Sequence, residues 1–307
     1  MNKNESEKLK ERLLFSDGNL HAYAGITKKE FPELYNEIRT ISEREFKIED
    51  AYDRFDETYK YLVCIVEYDT PGELPFEHEI VSFYRYILCK DAKNGDTFDL
   101  STNTFYEYSE RFKQILPATI ELGRSVVNHN AKTKINGLNA VWRGLGALID
   151  YYKDKGIKFL FGEVSLQKSN YDIEDIQKND ALFSIMACYI KNFYHDDIIR
   201  PKERIKGFEL DSLMKIAREK GFTDKSSYEE DVAKLKQILR DDNAPKPRLF
   251  FAYGELGKQG SLHVYEFVDN KDILDCWEMG ILMQIDEIDP DWLKHYTKNG
   301  YRKEAFM

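Results

Sequence analysis

The stretch ATIELGRSVVNHNAKTKINGLNAVWRGLGALIDYY, Ala118–Tyr152, decides the fold. Its first part, Ala118–Val127, is dense in β-branched and apolar residues and predicts a strand. Asn128–Lys134 is a polar turn. From Ile135 to Tyr152, Leu138, Val141, Trp142, Leu145, Leu148 and Ile149 recur at helical spacing, and Gly156 marks the stop. Gly123 interrupts the strand, and an interior glycine there signals a bulge or a close backbone approach. Side chains alternate along a strand, so Glu121 and Gly123 share one face and Leu122 and Arg124 the other; a bulge at Gly123 brings Glu121 and Arg124 to the same side.

Working outward, KFLFGEVS (Lys158–Ser165) reads as a buried strand with a central Gly162. Upstream, YLVCIVE (Tyr61–Glu67) and EIVSFYRYILC (Glu79–Cys89) are strands separated by Pro71, Gly72 and Pro75, and Lys28–Phe46 carries a loose helical stripe. Downstream, Ile173–Tyr194 and Tyr228–Arg240 read as helices, while Arg248–Tyr253, Ser261–Phe267 and Glu278–Ile285 read as strands. This order predicts an α/β chain, a central mixed sheet flanked by helices. The expected division is a polar segment over 1–27, a catalytic core over 28–200, and a C-terminal extension over 201–307 that completes the core.

Composition removes several function classes. Apolar residues make up 42% of the 307, with no unbroken run near the roughly 20 that a spanning helix needs. Met1–Arg12 lacks the apolar region of a secretory signal, so a cytoplasmic protein is expected, with peripheral contact at the inner membrane face left open. A formal charge of −10 disfavours nucleic acid as a partner. Cys64, Cys89, Cys188 and Cys276 show neither pairing nor metal-ligand spacing, and the six histidines are isolated, so no metal site is expected. Glu43–Glu79 is strongly acidic, whereas Arg124, Lys132, Lys134, Arg143, Lys153, Lys155 and Lys158 make the next region basic. Such runs read either as solvated surface or as faces that attract ions of opposite sign.

Chemistry concentrates between Ser82 and Ser165. Arg85, Glu121 and Arg124 all lie on strands, where a charge is costly unless it is paired or used. A buried ion-pair network without chemical role and a reactive site are both consistent with that. The turn before the helix adds free N–H groups suited to an anion, with His129, Lys132 and Lys134 beside them, although every strand-to-helix turn has such groups.

The run IELGRSVVNHNAKTKINGLNAVWRGLGALIDYY, with VSFYRYIL before it and KFLFGEVS after it, resembles the acyl-carrier-protein-dependent N-acyltransferases that make ornithine and glycine lipids and related N-acyl amino acids. That family has the GCN5-related (GNAT) fold, is distantly similar to acyl-homoserine-lactone synthases, and includes members labelled haemolysin-like. The likeness covers Tyr61–Asp286, and E-L-G-R-S with Arg85 upstream is its most specific part. It implies that Glu121, Arg124 and Arg85 are catalytic, with Ser125, Val126, Val127, His129, Lys132 and Lys134 holding the donor. The acidic segment EDAYDRFDE is matched loosely, and Asp53 and Asp56 are its substrate-binding candidates. The family's proline and arginine after R-S are replaced here by NHNAKTK, which leaves Lys132 or Lys134 to serve the phosphate.

The resemblance implies transfer of a long acyl group from acyl-carrier protein, or acyl-CoA, to the amine of an amino acid or small amine. No tightly bound cofactor is implied. Glu121 would take the amine's proton, backbone N–H groups near Ser125–Val127 would stabilise the oxyanion, and Arg85 and Arg124 would hold a carboxylate or order Glu121. The basic helix face around Arg143, Lys153 and Lys155 would dock an acidic carrier. Two alternatives are an autoinducer-type synthase using S-adenosylmethionine and a non-enzymatic membrane-active protein.

Overall fold

The computed structural model describes residues 1–68, 77–133, 135–168, 180–256, 260–271 and 275–296. Along the chain run α1 (Lys3–Glu11), β1 (Leu13–Asp17), β2 (Leu20–Ile26), α2 (Pro32–Phe46), β3 (Lys60–Glu67), β4 (His78–Leu88), β5 (Lys93–Asn94), β6 (Thr97–Phe98) and β7 (Tyr106–Tyr108). Then come α3 (Glu110–Ile115), β8 (Thr119–Val127), α4 (Gly137–Lys153), β9 (Phe159–Gln167), α5 (Asp180–Phe193), β10 (Ile199–Pro201), α6 (Leu210–Glu219), α7 (Tyr228–Asp241), α8 (Arg248–Gly254), β11 (Leu262–Asn270), β12 (Cys276–Gln284) and α9 (Pro290–Tyr296). The fold is α/β, and none of the described helices is long and apolar enough to cross a membrane.

The described residues form two compact units. The first contains Met1–Ser101, Leu116–Leu160 and the residues from Ile288 onward; the second contains Thr102–Ile115 and Phe161–Glu287. This grouping cuts across the divisions expected at 27/28 and 200/201. Residues 1–27 are not merely polar: Asp17 pairs with Leu20 across a Gly18-Asn19 loop, Gly18 takes φ 59°, and the hairpin joins the sheet. At the other boundary, α5, which ends before residue 200, packs on α6 and α7, which follow it, so one core spans the expected break.

In the first unit the strand order is β1-β2-β3-β4-β8, each neighbour antiparallel. Its strand β3 alternates Tyr61, Val63 and Ile65 with Leu62, Cys64 and Val66, all buried. The first set packs with Phe31, Leu34, Tyr35, Ile38 and Ile41 around α2. Leu62 and Cys64 meet the opposite layer, where α4 approaches so closely that a Cβ on Gly144 would stand 3.1 Å from Cys64 Sγ and 3.3 Å from Leu62 Cδ2. Burial on both faces explains why this strand reads as an unbroken apolar run. All four cysteines are buried thiols outside any disulfide, and burial pushes the Cys64 thiol up to about 12.

In the second unit β9-β12-β11 form consecutive strands, β10 pairs with β7, and α5 carries Tyr189 against Phe250 and Tyr228. The segment Arg248–Tyr253 is a helix, correcting the strand expected there. Aromatics favour strands in general, but Pro247 opens a helical turn here and Phe250 and Phe251 bury themselves beside each other. Of Ile173–Tyr194, residues 173–179 lie outside the described residues, as do Pro71, Gly72 and Pro75.

Gly137, at the start of α4, is the tightest fit between helix and sheet. A Cβ there would come within 2.7 Å of Val127 Cγ1 and 2.8 Å of the Val81 carbonyl oxygen, and a backbone carbonyl does not yield as a side chain does. Gly137→Ala is therefore expected to destabilise the protein by about 1–3 kcal/mol, read by chemical denaturation. Gly123→Ala is expected to stay within about 1 kcal/mol of the wild type, because its Cβ would meet nothing within 4 Å and its φ is ordinary.

Candidate active site

The bulge signalled by Gly123 is present one residue further on. In the β4–β8 ladder Arg85 faces Gly123 and Phe83 faces Val126, so Arg124 and Ser125 together oppose Tyr84. Arg124 takes φ 48°, the left-handed region that an L-residue enters only when neighbours hold it there. The extra residue turns the Arg124 side chain to the same cluster as Arg85.

That cluster is built around two carboxylates. Asp53 caps the short turn Arg54–Glu57: its Oδ1 accepts from Phe55 N at 2.8 Å, and Asp56 Oδ2 accepts from Asp53 N at 3.0 Å. This capping box fixes both acids on one side. Arg85 Nη1 donates to Asp53 Oδ1 and Oδ2 at 2.8 Å each and to Asp56 Oδ1 at 3.2 Å. Arg124 Nη2 donates to Asp53 Oδ2 at 2.9 Å, while its Nη1 lies 3.6 Å from Asp56 Oδ2 and donates to the Ala51 carbonyl. Tyr61, directly across the ladder from Arg85, donates to Asp56 Oδ1 at 2.6 Å, and Tyr35 of α2 donates to Asp56 Oδ2 at 3.0 Å. Burial pushes the Asp56 carboxyl up, but Arg85, the Tyr61 hydroxyl and Arg124 outweigh it and hold it below the usual carboxylate range.

Two positive and two negative charges thus neutralise one another, with Asp56 1% and Arg85 3% exposed. Arg85 Nη1 and Arg124 Nη2, among the groups expected to grip an acceptor carboxylate, are already bonded to Asp53 and Asp56. The Nε–H of Arg85 and of Arg124 are buried and have no hydrogen-bond partner among the described residues.

Glu121 sits on the same sheet face and is 0% exposed. Its Oε2 accepts from the Tyr59 hydroxyl and its Oε1 from Ser101 Oγ at 3.2 Å. The Tyr59 ring lies under the Arg85 guanidinium, 5.0 Å from its carbon, so one tyrosine links the base candidate to the ion cluster. Above Gly123, opposite Arg85, the face is open.

The polar turn is arranged differently from the expected phosphate cradle. Lys132 N and Thr133 N donate to Glu79 at 2.7 and 3.1 Å, and His129 N and Nδ1 lie 3.2 and 2.8 Å from Glu45. The protein's own carboxylates already occupy these groups, and Lys134 lies outside the described residues. Val126 and Val127 pair with Phe83 and Ser82, while Ser125 belongs to the bulge and has no partner residue in that ladder. On α4, Arg143 is bound to Asp17 at 2.7 Å, whereas Lys153, Lys155 and Lys158 are exposed.

Sequence reasoning missed Tyr59, Tyr61, Tyr35 and Ser101. Tyr59 and Tyr61 carried a signal, since two residues apart beside Arg85 they must share its face. Ser101 lies in a segment without periodicity and gave none.

A family model describing an Acetyltransferase (GNAT) domain matches residues 34–142, which include every residue of the cluster. A glycine N(alpha)-acyltransferase of Bacteroides thetaiotaomicron is 26% identical over 284 residues, covering 86% of this chain and 77% of that protein. A protein of the same name from Phocaeicola vulgatus is 27% identical over 296 residues, covering 90% and 84%. No solved structure matches the chain significantly.

The ion cluster makes a specific demand on stability. Asp56→Asn is expected to cost about 3–5 kcal/mol at pH 7, since it leaves a buried guanidinium short of a counter-charge. Because the folded pKa of Asp56 is depressed, its contribution is present above about pH 4, the unfolded value, and is lost as pH falls through the folded one. The stability gap between wild type and variant, read from denaturation curves at a series of pH values, should therefore hold constant above about pH 4 and narrow progressively below it.

Proposed function

The chain being a GNAT-type N-acyltransferase, we propose that it moves a long-chain acyl group from a pantetheine thioester, on acyl-carrier protein or coenzyme A, to the α-amine of glycine or a similarly small amino acid. The relatives' name supplies the acceptor. The observation that carries the reading is the open space over Gly123, flanked on one sheet face by Glu121 and by the Arg85–Asp53–Arg124–Asp56 cluster.

An amine attacks a thioester only when uncharged, and an amino acid's amine is mostly protonated at neutral pH. Glu121 is the base. The acceptor sits over Gly123, its carboxylate facing the Arg85 and Arg124 guanidinium groups, whose Nε–H lack a partner among the described residues. A carboxylate there satisfies two buried donors, and the Asp53 and Asp56 counter-charges keep the guanidinium groups rigid. The developing oxyanion is stabilised by a backbone N–H of the bulge region, with Ser125 the donor assigned to it. As the tetrahedral adduct collapses, the C–N bond is complete, the C–S bond breaks, and the sulfur leaves as a thiol carrying a proton from nitrogen.

The product of this transfer is an N-acyl amino acid, an aminolipid when the acyl chain is long, and an acidic carrier fits the exposed Lys153, Lys155 and Lys158. Purified protein supplied with palmitoyl thioesters of acyl-carrier protein and of coenzyme A, and with a panel of amino acids, is expected to give N-palmitoylglycine by mass spectrometry. Turnover with the carrier-protein donor should fall as salt rises, and absence of any N-acyl product removes the reading. Glu121→Gln is expected to lower kcat by about 10²–10⁴-fold while remaining folded by circular dichroism. Gly123→Val should block the acceptor without unfolding the strand, which is read as lost turnover at an unchanged Tm.

A further inference from the structure

A buried base poses a problem of access. Glu121 is 0% exposed, and both its oxygens accept hydrogen bonds from side-chain hydroxyls, Tyr59 on Oε2 and Ser101 on Oε1. A substrate amine does not touch that carboxylate in this arrangement. Any proton that reaches Glu121 must pass through a group that touches both the carboxylate and the solvent side.

The two hydroxyls differ in this respect. Tyr59 is 1% exposed, and its oxygen accepts from the backbone N–H of Ser101 at 2.8 Å, which turns its hydrogen toward Glu121. Burial and the Glu121 charge push its pKa well above the usual value, so Tyr59 stays protonated and clamps the carboxylate in place. Ser101 is half-buried, and its Oγ reaches Oε1 at 3.2 Å. The same residue thus orients the clamp through its backbone and, being less buried than Tyr59, contacts the carboxylate through its hydroxyl.

Resting on the N-acyltransferase reading, we propose that Ser101 is a catalytic residue that carries the acceptor's proton to Glu121. The ammonium loses one proton to Ser101 Oγ as the serine's own hydrogen passes to Glu121 Oε1. The freed nitrogen lone pair then forms the bond to the thioester carbon. The second nitrogen proton leaves with the sulfur, and Glu121 returns its proton to water through the same hydroxyl. Tyr59 is a positioning residue in this scheme.

The test follows kcat against pH for Ser101→Ala and Ser101→Thr at saturating acceptor. Ser101→Ala should lose about 10²-fold at neutral pH, whereas Ser101→Thr, which keeps the hydroxyl, should retain most of the rate. The alanine deficit should shrink as pH rises past the amine's own pKa, because a free amine needs no base, and the KM for the acyl donor should not move. Wild-type rate in the alanine variant, or a deficit equal at every pH as a purely structural defect would give, overturns the relay. A single-turnover proton inventory on the wild type checks the same step without a variant: a curved dependence on deuterium fraction indicates two protons in flight, and a straight line overturns the proposal. Failure of the wild type to form any N-acyl product would count against the activity reading, and is thereby distinguishable from failure of the relay.

Discussion

A guanidinium placed on a central strand has to be neutralised where it stands, and Arg85 imposes that condition on everything around it. At 3% exposure it cannot be hydrated, so the chain must bring counter-charge to it. Asp53 and Asp56 arrive on a capped turn just before β3, Tyr61 arrives across the ladder, and Tyr35 arrives from α2. Each contact is individually modest, but removing one member leaves another buried and uncompensated, which makes the cluster act as a unit. The bulge belongs to the same logic. By holding Arg124 at positive φ, it adds the second cation that two carboxylates require.

From that cluster to the proposed chemistry is a short step in space. The tyrosine under Arg85 donates to Glu121, so the electrostatics of the ion pairs and the orientation of the base are mechanically joined. Such rigidity is what acyl transfer requires, since little else in the mechanism compensates for a misplaced nucleophile. Gly123 contributes by what it lacks: its missing side chain leaves open space on this face beside Glu121 and the ion cluster. Gly137 has the opposite role, letting the helix close on the strand end.

Much of this was legible in the sequence, and the parts that were not share a cause. Strand, turn and helix over Ala118–Tyr152 follow from periodicity, and the glycine inside the strand announced a bulge. The bulge falls at Arg124 because ladder register, set by β4, determines which residue is left over. Arg85, Asp53, Asp56 and Arg124 were singled out, and the structure brings them together. Their mutual neutralisation was not readable, nor was the occupation of the polar turn by Glu79 and Glu45, because charge partners distant in the chain leave no local pattern. The aromatic run Arg248–Tyr253 failed for a related reason: short apolar segments carry no reliable period, and the core they enter decides their form.

Alone, the sequence determined the α/β layering of the first unit and the residue types of its reactive face. Both rest on interactions within a few residues of one another, namely side-chain periodicity and turn chemistry. The tertiary structure decided which charges cancel, that Glu121 is sealed behind Tyr59 and Ser101, and where open space remains. Those depend on register between strands and on packing density, quantities that exist only once segments far apart in the chain are pressed together.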